Sequence, residues 1–132
     1  MTRYAIDPPT LLALARAGYA GAEHQLVGPA GLRSQAMSLL YAELRAGTLA
    51  EADIRPLLDG ITTIRVRLLG DRMSRGTAWR LARELGLDDT GPAEYLAVTR
   101  LQADALVALD PAIARLAEGV VPLAPIDVLF AG

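Results

Sequence analysis

The chain has 132 residues, of which 52% are hydrophobic, no cysteine, and a formal net charge of −2. Residues 1–132 therefore read as one domain with enough apolar mass for a core. Disulfide frameworks and thiolate metal sites are excluded, no run of 18 or more apolar residues marks a membrane span, and no basic start with an apolar run marks a signal peptide, so a cytoplasmic protein is expected.

Tyr4-Ala5-Ile6 is a short apolar strand that ends in Asp7-Pro8-Pro9. A helix from Pro9 to Ala17, carrying Leu11, Leu12 and Leu14, stops at Gly18 and Gly21. Leu26-Val27, before Gly28-Pro29, is short enough to be a strand or a turn. Pro29 to Ala46 reads as a longer helix with Leu32, Ala36, Leu39, Leu40 and Leu44 on one face.

Gly47 closes that helix, and Thr48-Leu49-Ala50-Glu51 has the form of a capping box. The helix it opens runs from about Leu49 to Leu58 and ends at Asp59-Gly60. From Ile61 to Leu69, Thr63, Arg65 and Arg67 alternate with Ile64, Val66 and Leu68, as in an amphipathic or edge strand. Ser74 to Leu85 is helical, with Trp79, Leu81, Ala82 and Leu85 at core spacing. Pro92 to Gln102 is a further helix with Tyr95, Leu96, Val98 and Leu101.

Ala105 to Leu109 is a strand short and apolar enough to be buried on both faces, which places it centrally in a parallel sheet. It ends in Asp110-Pro111, and a helix to Ala117 and a short last strand, Val120 to Leu123, follow. Strands alternating with helices indicate an α/β fold, a mainly parallel sheet flanked by helices.

Two strands that end in Asp-Pro and run in the same direction bring Asp7 and Asp110 to one edge of the sheet. Open parallel sheets gather ligands outside the carboxyl ends of their strands. The same dipeptide is also an ordinary helix start, with Asp as N-cap and Pro in the first turn, and that role needs no chemistry. The two roles are compatible.

All 13 basic side chains are arginines. Six of them (Arg65, Arg67, Arg72, Arg75, Arg80 and Arg83) fall between Ile61 and Leu87 against only Asp71 and Glu84. Base composition and ordinary solvated helix faces account for this flank, and the functional reading is contact with nucleic-acid phosphates. His24 is the sole histidine and has no companion for a metal site or a triad, so it is expected to be structural.

Taken together, Asp7 after the first strand, Leu26 to Ser34 entering the second helix, Ala93-Glu94-Tyr95-Leu96-Ala97-Val98 and Ala105 to Asp110 resemble the PIN domains, which include the VapC toxins of toxin–antitoxin pairs. The resemblance spans nearly the whole chain, and the last two blocks with their spacing are its most specific part. It implies a three-layer sandwich with acidic side chains converging at the carboxyl edge to hold Mg²⁺ or Mn²⁺ for RNA cleavage. Hard divalent ions take oxygen ligands, and carboxylates supply them.

Residue by residue, the resemblance makes Asp7 and Asp110 the metal-binding and catalytic acids. Where the second acid falls the chain has Gln35, which offers a neutral carbonyl oxygen. Where the third falls it has Pro92, which offers no ligand. Glu94 is rotated by roughly 200° from Pro92, Glu43 lies some two turns beyond Gln35, and Asp89 precedes Pro92 in a loop.

Three expectations follow. The chain is a Mg²⁺- or Mn²⁺-dependent ribonuclease whose Arg65, Arg67, Arg72 and Arg75 hold RNA; or a non-catalytic relative that binds RNA or an antitoxin-like protein and needs no ion; or a small acidic-pocket domain with an unrelated ligand. The resemblance also implies a homodimer. Trp79 and Tyr95 are expected in the core.

Overall fold

A computed structural model describes residues 1–21 and 23–131. The elements run β1 (Arg3–Ile6), α1 (Pro8–Arg16), β2 (Gln25–Pro29), α2 (Leu32–Arg45), α3 (Glu51–Thr63), β3 (Arg67–Leu69), α4 (Arg72–Glu84), α5 (Gly91–Gln102), β4 (Ala105–Val107) and α6 (Pro111–Ala117), with a final 3₁₀ turn at Ile126–Leu129. The four strands form one parallel sheet in the order β3-β2-β1-β4. Helices flank it, so the fold is the α/β sandwich that alternating strands and helices predict.

Parallel strands covered on both faces must be apolar throughout. Ala5, Ile6, Leu26, Val27, Leu106 and Val107 are all buried. α5 lies on β1 and β2 and also packs against α4 and α6, while α1 packs on α2 and α3. α5 carries Ala93, Leu96, Ala97 and Val98 into the core, together with Tyr95 and Thr99. Among the described residues no helix is long and apolar enough to cross a membrane.

The structure departs from the sequence expectations at five places. First, Pro29 ends β2 and does not open α2, and β2 is an interior strand, with Ala5 opposite Val27 on one side and Val27 opposite Arg67 on the other. Second, β4 is not central. It stops at Val107 and lies outside β1, with a parallel bridge from Leu106 to Leu123 on its far side.

Third, α3 does not stop at Gly60 but runs on to Thr63. A Cβ on Gly60 would lie 2.9 Å from the Cβ of Ala15, so the glycine lets α3 approach α1 and does not end a helix. Beyond it, the Thr62 and Thr63 hydroxyls donate to the carbonyls of Leu58 and Asp59 at 3.1 and 2.8 Å, and Ile61 is buried. The predicted strand thus shrinks to three residues, although Ile64 and Val66 remain buried and Arg65 and Arg67 exposed.

Fourth, the capping box does not form. The Thr48 hydroxyl donates back to the Glu43 carbonyl at 3.2 Å, closing α2, and Ala50 is the N-cap of α3, with no side-chain cap. Fifth, Trp79 is not in the core. α4 buries Ser74, Thr77, Ala78, Leu81 and Ala82, and the indole, one step off that stripe, is 62% exposed.

Candidate functional site

β1 and β4 run side by side with Ile6 opposite Val107, and the chain turns into a helix after each. Asp7 caps α1: its Oδ1 accepts from the Thr10 N–H at 3.1 Å and from the Thr10 hydroxyl. From the turn after β4, Leu109 N–H donates to Oδ1 at 3.2 Å and Asp110 N–H donates to Oδ2 at 2.8 Å. Three donors thus converge on Oδ1 and one on Oδ2, where a carboxylate oxygen offers about two acceptor positions. Asp7 has no solvent-exposed surface.

Asp110 is partly exposed and caps α6, its Oδ1 accepting from the Ala112 N–H at 2.9 Å. The sheet therefore brings the two aspartates together, and both perform the capping role that Asp-Pro allows. Thr10, absent from the residues expected at the site, completes the Asp7 shell, and its hydroxyl also lies 3.1 Å from the Val107 carbonyl oxygen of β4. A local signal does point to it: a hydroxyl three residues after an N-cap aspartate.

Gln35 is exposed on α2, and its Oε1 accepts from the Tyr95 hydroxyl. Tyr95 is 2% exposed, within the core as the helical spacing indicated. Burial, with the negative charges of Asp7 and Glu94 adding to it, pushes its phenol well above the usual tyrosine range, so the hydroxyl stays a donor. The only ligand-capable oxygen of Gln35 is thereby engaged by a buried phenol beside Asp7.

Pro92 lies in the first turn of α5. Glu94, two positions on, is half-buried, and its carboxyl is pushed above the ordinary glutamate range by burial and then by Asp89, with Arg75 acting against them. Asp89 is exposed and accepts from the Gly91 N–H at 2.6 Å. Glu43 pairs with Arg16.

This donor set fits Mg²⁺ or Mn²⁺ poorly. Such ions need several oxygens with free lone pairs and room for water. Asp7 has no exposed surface and one unfilled acceptor position, on Oδ2, Asp110 has one oxygen committed to α6, Gln35 offers a single neutral oxygen that already accepts from Tyr95, and Pro92 contributes nothing. Among the described residues no group of three or more His, Cys, Asp or Glu is placed to hold a metal ion.

The arginine flank is divided by the sheet. Arg67 opens β3 and, with Arg65, lies at the amino ends of the strands, whereas Asp7 and Asp110 lie beyond the carboxyl ends. Arg72 and Arg75 begin α4, which follows the carboxyl end of β3, and Arg75 lies close enough to Glu94 to influence its charge. The four arginines therefore do not form one surface around the acidic edge.

The chain is similar in structure to the protein described as "Crystal Structure of PAE2754 from Pyrobaculum aerophilum", with a TM-score of 0.73 at 24% identity, over 97% of this chain and 92% of that one. That likeness establishes the fold. No family model and no curated protein matches the sequence.

Proposed function

We propose that this chain is a PIN-like module, of the architecture used by VapC-type ribonucleases, that binds RNA without efficient metal-dependent cleavage. The observation that carries the reading is the Asp7 shell: the residue whose carboxylate would anchor the ion is sealed from solvent and hydrogen-bonded to the turn after β4. An ion would have to compete with that shell for a carboxylate that has no exposed surface, and Gln35 and Pro92 stand where further acids would supply charge.

RNA binding is supported by α4. Trp79 is exposed between Arg75 and Arg83, one turn away on either side, and Arg72 lies two turns before it. An aromatic platform flanked by guanidinium groups suits stacked bases and their phosphates.

The test is titration of a fluorescent single-stranded RNA, with and without Mn²⁺. Salt-dependent binding with intact RNA is expected, weakened about tenfold or more by Trp79→Ala, since one stacked base is worth about 1–3 kcal/mol. Mn²⁺-dependent cleavage that Asp110→Ala abolishes would overturn the reading.

A protein partner, such as an antitoxin-like chain or a second copy, is favoured by one separate observation. Met37, Tyr41 and Leu44 lie along one exposed face of α2, at 50%, 61% and 37% exposure. Mass measurement by light scattering, with Tyr41→Glu as the disrupting variant, tests self-association through that face.

A further inference from the structure

At the amino ends of β1, β2 and β3, away from Asp7, lies a cavity of about 590 Å³. That is within the usual size of small-molecule sites, about 300–1,000 Å³, and larger than a bare inorganic anion needs. Leu26, Val27 and Ile64 give it an apolar wall.

Its polar groups are unusually idle. Arg65 and Arg67 both line it, neither has an ion-pair partner among the described residues, and no lining residue is acidic. The Tyr19 hydroxyl and His24 Nδ1, which belong to lining residues, are buried without a hydrogen-bond partner among the described residues. A buried polar group without a partner is destabilising unless something occupies it.

The histidine shows what kind of group is wanted. Its Nε2 lies 3.1 Å from the Ala131 carbonyl oxygen, which can only accept, so the ring proton is on Nε2. In the neutral ring Nδ1 is then an acceptor that awaits a donor. Tyr4 packs edge-on against the imidazole at 5.2 Å and fixes its orientation. Burial holds the Tyr19 phenol above its usual range, so it remains a donor. The cavity thus presents two guanidinium forks to an anion, and beneath its wall lie a phenol O–H and an imidazole nitrogen that lack a partner among the described residues.

We propose that this cavity binds a sugar phosphate, with the phosphate held by Arg65 and Arg67, and with the Tyr19 hydroxyl and His24 Nδ1 turning toward the ligand to find the partners they lack. Guanidinium forks match phosphate oxygens in pairs, and the apolar wall accepts the carbon skeleton. The site lies outside the acidic edge and does not depend on RNA binding by α4.

Calorimetric titration of the full chain with ribose 5-phosphate, adenosine 5′-monophosphate and uncharged ribose tests the proposal. At least one phosphate ligand binds the wild type, ribose does not, and binding to the Arg65→Gln/Arg67→Gln protein is weaker by about tenfold or more. Both arginines are exposed, so the double variant keeps the fold. Tyr19→Phe, which removes only the hydroxyl, weakens binding several-fold, and Trp79→Ala leaves it unchanged, which separates this site from the RNA face. Binding by ribose 5-phosphate as well as by the nucleotide identifies the sugar phosphate as sufficient; binding by the nucleotide alone places the base against the apolar wall. Absence of binding by both phosphate ligands, or binding that the double arginine variant does not alter, overturns the proposal.

Discussion

The backbone N–H of Asp110 donates to Oδ2 of Asp7 at 2.8 Å, joining the ends of two parallel strands through one residue's main chain and the other's carboxylate. Asp7 is thus a structural fastener. Asp7→Asn would set an amide N–H₂ against at least one of those buried N–H groups, at a cost of about 2 kcal/mol or more. Asp110→Asn keeps an equally good cap and costs less than about 1 kcal/mol. Urea denaturation of the two variants checks this. If Asp7 were mainly a metal ligand crowded by like charge, its neutralisation would stabilise the metal-free protein.

Glu94 gives a pH signature. Its carboxyl is raised above the unfolded value, chiefly by burial and secondarily by Asp89. Between the ordinary glutamate range and that raised value the folded state holds more protons than the unfolded one, so stability falls as pH rises through the window. Glu94→Gln removes the dependence. The variant should therefore gain on the wild type as the pH rises above the ordinary glutamate range, with the melting temperatures followed as the pH is raised; parallel curves would refute the assignment.

Gly60→Ala separates local propensity from packing. In an exposed helix the change stabilises by roughly 1 kcal/mol. Here the new Cβ meets Ala15 at 2.9 Å, and neither Cβ is the end of a flexible side chain. Overpacking of this kind costs about 1–3 kcal/mol, so a net loss of stability is expected, and thermal denaturation reads its sign.

That glycine also marks where the sequence misleads. Apolar runs and the two Asp-Pro pairs made the parallel sheet and its acidic edge legible, because burial on both faces and helix capping leave local signatures. α3 was not, because Asp59-Gly60 looks like a helix stop unless Ala15 is known to press against it. Trp79 was misplaced because apolar spacing alone does not say which of two adjacent stripes on α4 meets α5. The Asp7 shell was half visible: the Thr10 part is local, whereas the Leu109 and Asp110 N–H groups come from over a hundred residues away.

Exposed Trp79 is expected to matter for binding and not for folding. Trp79→Ala should change stability by no more than about 0.5 kcal/mol, the range of ordinary surface substitutions. A Cβ on Gly76, one turn earlier, would meet nothing within 4 Å, so one side of the indole is open. Gly76→Ala should accordingly raise helix stability while leaving RNA affinity within about twofold. Chemical denaturation and RNA titration of the same two variants read both effects.

The most direct measurement is calorimetric titration of Mn²⁺ into the wild-type chain. The sealed Asp7 shell predicts no saturable binding in the range where a competent carboxylate site fills. Stoichiometric binding that disappears in Asp110→Ala, a variant expected to stay folded, would contradict the account.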